Sequence, residues 1–314
     1  MPPSRECKPP NGQHDTKKVC SHAFPGRLKK FAFMKAWRKD FSVNRMAALL
    51  GVSKSVFYSY MKRSGKKKEV VSSDLLSMIT QIHRSNRRCF GLRKICHELK
   101  VQGLQYSRLS VIRGMKILEI SGKRRKRYVP RTTDSDHDSP ISPNLLNRNF
   151  STELPNQAWV SDITYVRTAT GWLYLCAIID LYSRKVVGWS MKRHMESSLV
   201  ASALRMAIGS RRPASGLVFH SDRGSQYASQ EFRSELKKHG IVQSMSRKGN
   251  CWDNAVAESF FGQMKNELDR KVFANQEEAK CEIFDYIEVF YNRKRSHSYL
   301  GYLSPEAFET KKVA

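Results

Sequence analysis

The run Leu173-Tyr-Leu-Cys-Ala-Ile-Ile-Asp180 sets the tightest limit on what this chain can fold into. Successive residues of a strand point to opposite faces. A run apolar on nearly every residue must therefore be covered on both faces, as an interior strand of a sheet with a layer packed on each side. Gly171-Trp172 turns the chain into it. Before the turn, Trp159–Val166 alternates as a strand, with Trp159, Ile163 and Tyr165 among its β-forming residues. Lys185–Met191 reads as a third strand. Short links between the three make a meander.

Downstream the pattern alternates. Ser197–Ile208 is an Ala-rich helix, Leu217–His220 a fourth strand, Ser229–His239 a helix and Ile241–Met245 a fifth strand. A further helix opens near Asn254, with Asn254 or Asp253 as its N-cap. The order β-β-β-α-β-α-β-α is that of ribonuclease-H-like domains: an α/β fold with a mixed five-stranded sheet flanked by helices. There the first and fourth strands are neighbours, which would bring Asp162 beside Asp222. Asp222 follows the short β-prone run Val218-Phe219-His220, and Glu258 lies 36 positions further on.

Three carboxylates on two strands and a helix can meet at one point. Such hard oxygen donors suit Mg²⁺ or Mn²⁺. Two ions about 3.5–4 Å apart can activate a nucleophile and stabilise a leaving oxygen at a phosphodiester. Lys265 is seven positions past Glu258, only about 20° away around a helix, whereas Val256, Phe260 and Met264 fall on the other side. The helix would bury an apolar stripe and show Glu258 and Lys265 to one cleft. Taken singly, each acid reads more readily as a turn, cap or solvated residue. The joint pattern carries the metal reading.

Charge separates the two halves. Lys and Arg outnumber Asp and Glu 56 to 28, and residues 1–150 hold 33 of the bases against 10 of the acids. A basic excess this size points to a polyanion, nucleic acid above all. Residues 1–40 read as a basic, disordered tail. Residues 41–70 read as a helix-turn-helix: Met46, Leu49 and Leu50 on one face, Gly51 in the turn, Ser53 capping a second helix. Lys54, Ser55, Tyr58 and Ser59 would face DNA. Residues 71–120 form a second helical DNA-binding module, with Arg84, Arg87, Arg88, Arg93 and Lys94 clustered as backbone contacts or a solvated face. Residues 121–152 read as a polar linker carrying the basic block Arg124, Arg125, Lys126 and Arg127. The catalytic part spans 153–314. Seven scattered cysteines without a CxxC pair fit a reducing interior and a cytoplasmic setting. Cys7, His14, Cys20 and His22 are poorly spaced for zinc. No run approaches the ~20 apolar residues that cross a bilayer, so no membrane partner is expected.

Three stretches then resemble a known family: Trp159-Val-Ser-Asp162-Ile-Thr-Tyr165, His220-Ser-Asp222-Arg-Gly-Ser-Gln-Tyr227, and Arg247-Lys-Gly-Asn-Cys-Trp-Asp-Asn-Ala-Val-Ala-Glu258-Ser-Phe-Phe261. They look like the signatures of DDE transposases of bacterial insertion sequences, the two-reading-frame (IS-three type) branch related to retroviral integrases. Tyr286 to Pro305 is similar to that family's C-terminal stretch. Leu50-Gly-Val-Ser-Lys-Ser and Arg88-Cys-Phe-Gly91-Leu-Arg-Lys-Ile resemble its helical modules.

The resemblance implies that Asp162, Asp222 and Glu258 are catalytic and bind two Mg²⁺ or Mn²⁺ ions. These would serve end cleavage and strand transfer on double-stranded DNA, both element ends and target. Arg247, Lys248, Asn250, Trp252 and Lys265 would position DNA, and Arg293, Arg295 and His297 would steer a phosphate. It also implies a homo-oligomer in the synaptic complex and an upstream-frame transposase product as partner. Two other readings compete: a DNA-binding repressor with a dead enzyme domain, and a ribonuclease H acting on RNA–DNA hybrids. The intact triad speaks against the first and the N-terminal modules against the second.

Overall fold

The computed structural model describes residues 26–64, 71–123, 140–248, 250–269 and 271–313. The chain divides into two compact units between Val71 and Ser72. The basic block Arg124, Arg125, Lys126 and Arg127 lies outside the described residues.

The first unit holds α1 (Arg27–Trp37), α2 (Val43–Leu50) and α3 (Lys54–Ser64). Phe31 and Met34 of α1 are buried with Met46, Ala47, Leu50 and Phe57. This corrects the tail expected through residue 40. The abundant Lys and Arg of α1 mask an apolar face that the next two helices complete. Gly51 ends α2 in the left-handed region (φ 61°), its N–H donating to the Ala47 carbonyl. On α3, Lys54, Ser55, Tyr58 and Ser59 are exposed.

The second unit opens with α4 (Ser73–Ser85), α5 (Leu92–Val101) and α6 (Arg108–Ile117). Ser72 and Ser107 cap α4 and α6 by accepting from the Leu75 and Ser110 N–H groups. Leu75, Ile79, Ile82, Ile95, Leu99, Val111 and Met115 are buried, at the helical spacing the sequence shows. This trio docks on the C-terminal segment of the chain. Arg87 pairs with Asp285 and lies over the Tyr286 and Phe290 rings. Lys123 pairs with Asp269, and His97 stacks on Tyr302 with centroids 4.6 Å apart. The basic cluster is therefore divided. Arg87 turns inward, and Lys94 is half-buried with Nζ 4.6 Å from the Phe90 centroid, while Arg84, Arg88 and Arg93 stay exposed.

Five strands follow: β1 (Ala158–Thr168), β2 (Gly171–Asp180), β3 (Val186–Lys192), β4 (Val218–Ser221) and β5 (Val242–Met245). They form one mixed sheet of order β3-β2-β1-β4-β5. The β1–β2 and β2–β3 pairs are antiparallel, and β1–β4 and β4–β5 are parallel. β2 is interior and covered on both faces, as its composition requires. On one face, Cys176 and Ile178 pack with Trp159, Phe219 and the helices α7 (Ser197–Arg211), α8 (Ser225–Ala228) and α9 (Gln230–Lys238). On the other, Leu175 and Ile179 pack with Val160 and with α10 (Ala255–Glu267) and α11 (Gln276–Phe284). A π-helical segment, Asp285–Tyr291, continues α11, and α12 (Pro305–Val313) closes the chain. Arg211 of α7 bridges Asp180 and Glu309, fastening α12 to the end of β2.

α7 lies close on β3 at Gly188. A Cβ there would press on the Ala203 carbonyl oxygen and sit 2.7 Å from the Ala207 Cβ. Gly188→Ala is expected to cost about 1–3 kcal/mol by overpacking, read as a lowered urea midpoint with an unchanged m-value.

Residues 140–152 correct the linker expectation in its second half. Leu146 and Phe150 pack against the core face that holds α10, the Leu145 N–H donates to Ser244 Oγ at 2.8 Å, and Asn144 reaches Asp253. The stretch is a strap on the five-stranded domain rather than a spacer. Among the described residues, no helix is long and apolar enough to cross a membrane.

Candidate active site

Two strands and one helix place the three carboxylates. The parallel register pairs Val160 with His220. Two residues further along each chain come Asp162, still within β1, and Asp222, just past the end of β4. Residues two apart on a strand share a face, so Asp162 points to the side of Val160, which α10 covers. Glu258 is exposed in the first turn of α10.

Local backbone fixes the first two. Asp162 Oδ1 accepts from the Ile163 N–H at 2.8 Å, and Asp222 Oδ1 accepts from the Gly224 N–H at 3.1 Å. Burial raises the Asp162 carboxyl well above the usual carboxylate range; the Asp222 carboxylate adds to this, and Glu258 adds further. The Ile163 N–H and the Lys265 ammonium act the other way. Asp162, Asp222, Glu258 and Lys265 thus share one electrostatic neighbourhood. Lys265 Nζ also stands 4.6 Å from the centroid of the Tyr165 ring.

The donors are all oxygen. His220, close by in sequence, is fully buried, and its ring nitrogens lie 2.8 and 3.2 Å from Ser244 Oγ and Ser246 Oγ. Burial pushes it down to about 4, so it is neutral. Cys176 and Tyr227 are buried beneath Ser161, and burial keeps both protonated by raising their pKa values. Carboxylate oxygens without nitrogen or sulfur fit Mg²⁺ or Mn²⁺. Among the described residues, no three His, Cys, Asp or Glu side chains are already drawn to metal-holding distance.

The turn before α10 carries several expected DNA contacts. Asp253 is fully buried and accepts from the Arg247 side chain and backbone N–H, from Arg148 Nε and from Asn144 Nδ2. The Arg247 guanidinium, bonded to it, holds its carboxyl well below the usual range. Arg247 is therefore an anchor for the turn, with half of its side chain still exposed. Asn250 caps the following 3₁₀ turn by accepting from the Trp252 N–H at 3.2 Å. Trp252 itself is 68% exposed, and Lys248, four residues earlier, is exposed as well.

The C-terminal expectations divide. Arg293 is exposed, 3.6 Å from Glu306. Arg295 is 6% exposed and bidentate on Glu267, at 2.8–3.0 Å. Its charge is neutralised inside the fold and is not offered to a phosphate. Glu267 lies nine residues past Glu258, roughly 13 Å along the helix. His297 is half-buried against Tyr291, and burial, with Arg295 adding to it, pushes it down to about 2. It carries no positive charge to steer DNA. Both corrections have one cause: a basic residue in a polar-looking tail was read as surface, although the aromatic residues around it form a core. Lys54, Ser55 and Tyr58 belong to the separate first unit. Sequence reasoning missed Asn144 and Arg148, which brace the turn before α10 through Asp253 from within the supposed linker. Leu145-Leu146 and Phe150, apolar in a polar stretch, were the available signal.

Two integrase core domain models match residues 152–251 and 239–305, and an HTH-like domain model matches residues 72–128. The insertion element IS600 uncharacterized 31 kDa protein of Shigella sonnei is 42% identical over 267 residues, which are 85% of this chain and 98% of that protein. The transposase InsF for insertion sequence IS3A of Escherichia coli (strain K12) is 36% identical over 288 residues, 91% of this chain and 100% of that protein. Among solved structures, the HTLV-2 integrase catalytic core domain in complex with magnesium aligns at a TM-score of 0.39 and 21% identity, covering 49% of this chain and 97% of that one. Matched across nearly its whole length by such relatives, the chain belongs to the insertion-sequence transposases built on an integrase core domain.

Proposed function

We propose that this transposase cuts and joins DNA by divalent-metal-dependent phosphodiester chemistry at Asp162, Asp222 and Glu258. One observation carries the reading: the Asp162 carboxyl is forced above its ordinary range by burial and by two other carboxylates. Such a concentration of negative charge in one place is relieved by a cation. These three side chains would hold two Mg²⁺ or Mn²⁺ ions. When bound, the ions supply the Lewis acidity that activates a water or a 3′-OH and stabilises the leaving oxygen.

The remaining work falls to the chain. β1 and the turn that leaves β4 hold two ligands, and α10 brings the third. Lys265 provides a cation beside the carboxylates, placed for a phosphate. The exposed Trp252 offers an aromatic face to an unpaired base at the cut end. The exposed face of α3, with Lys54, Ser55 and Tyr58, would bind duplex DNA at the element ends. Joining two ends to a target calls for more than one copy of the chain, and an upstream-frame product is the further partner we expect.

The test uses a labelled duplex bearing the element's end, with Mg²⁺ or Mn²⁺. The unmutated chain should nick and join it, and Glu258→Gln should bind it without chemistry. Cleavage that persists in Glu258→Gln would remove the triad from the mechanism. In the same assay Trp252→Ala should weaken binding of a pre-cleaved end about tenfold, within the ~1–3 kcal/mol of a base–aromatic stack. Its urea midpoint should not move, because the ring covers little of the fold.

A further inference from the structure

Asn254 directly precedes α10, where an Asn side chain ordinarily caps the helix. It makes no cap bond here. Its side chain turns sideways instead. Nδ2 donates to the Ser161 carbonyl oxygen at 3.0 Å, and the residue is 5% exposed. Ser161 immediately precedes Asp162, and Asn254 is four residues, about one helical turn, before Glu258. One hydrogen bond therefore ties the strand that carries the first carboxylate to the helix that carries the third.

Both ends of this tie are fixed. Ser161 Oγ is 2.8 Å from Tyr227 Oη in the buried layer beneath β1. On the other side, Asp253 locks the turn through Arg247, Arg148 and Asn144. The arrangement is costly. The cap is forgone, and Asn254 Oδ1 is buried without a hydrogen-bond partner among the described residues. A residue chosen for stability alone would avoid both. Local rules broken without a local gain point to a functional site.

We propose that Asn254 is a positioning residue that sets the separation of Asp162 and Glu258, and through it the site's affinity for a divalent ion. The proposal rests on the metal-dependent reading above. Asn suits the task where Asp does not. A carboxylate at 254 would face the Ser161 carbonyl with no hydrogen to donate, and would add a fourth negative charge to a site that already holds three.

The test is a thermal melt of the full chain titrated with Mn²⁺ alone, starting from EDTA, for the wild type, Asn254→Ala and Asn254→Gln. Gln keeps the amide but lengthens the tie by one methylene. The expected result is a melting temperature in EDTA equal to or above that of the wild type, with the half-saturating Mn²⁺ raised at least about tenfold, as for lost supports of metal ligands. Joining of a pre-cleaved end should recover in part at high Mn²⁺, which separates a misplaced ligand from a lost one. A melting temperature that falls in EDTA while the half-saturating Mn²⁺ stays at the wild-type value would overturn the proposal and make Asn254 a packing residue. If Asn254→Ala does not fold, Asn254→Gln decides by the same two readings. A wild type that shows no Mn²⁺ shift, matching Asp162→Asn, would instead remove the metal reading, and the tie with it.

Discussion

Asp162→Asn is expected to abolish end cleavage and joining while making the metal-free protein more stable. The loss should reach at least about a thousandfold, equal to about 4 kcal/mol of transition-state stabilisation, because a ligand to the ions is removed. The gain follows from the raised carboxyl of Asp162, which burial causes first and Asp222 and Glu258 reinforce. Between the ordinary value of 3.8 and the raised folded value, the folded chain keeps a proton that the unfolded chain has released. Stability then falls as pH rises through that window, and above it the full penalty of the buried charge is present. Asn carries no such charge, so its profile should lack this slope. Urea midpoints from pH 4 to pH 8 in EDTA would show the two curves separating upward in pH, and Mn²⁺ should raise only the wild type. Curves that stay parallel would mean that Asp162 is not held under electrostatic strain.

Arg295→Ala should destabilise the protein by about 3–5 kcal/mol, the cost of leaving a buried charge without its partner. Glu267 is 9% exposed, receives the Arg295 fork and accepts from Tyr286 Oη at 2.8 Å. Once the guanidinium is gone, those oxygens face a core of Tyr286, Tyr291 and Phe290. Replacing both partners together, Glu267→Leu with Arg295→Met, should restore much of the loss, since no orphan charge remains. Arg293→Ala, two residues away and exposed, should stay within about 0.5 kcal/mol of the wild type. Equal midpoints for Arg293→Ala and Arg295→Ala would refute the buried pair.

The contrast between those two arginines marks where sequence reading reaches and where it stops. The sheet was legible because a strand's period is two: β2 could only be an interior strand, and the likeness of the element order to ribonuclease-H-like domains placed Asp162 next to Asp222. Helical phase put Glu258 and Lys265 on one side of their helix, and only the joint pattern with Asp162 and Asp222 gave that side a meaning. What could not be read was the side of a polar segment that faces inward. Arg295 and His297 sit among residues without a clear period, and a π-helical segment shifts the register just before them. α1 hid because its apolar face needs α2 and α3 to complete a core. Local propensity offers Asn254 or Asp253 as the cap, whereas the Ser161 carbonyl that draws the Asn254 amide away is 93 residues distant in sequence.

The docking of α4, α5 and α6 sets an order on the birth of the molecule. Arg87 leaves the ribosome 198 residues ahead of Asp285, its partner. At the ~5–20 residues per second of synthesis, that is a wait of about 10–40 s. Throughout it, Arg87 has neither its carboxylate nor the Tyr286 and Phe290 rings, and His97 has no Tyr302 to stack on. The three helices can build their own small core in that time, but they cannot seat until the last fifth of the chain is made. A product that stops early would therefore carry these three basic helices with a finished core of their own but with no surface to seat on.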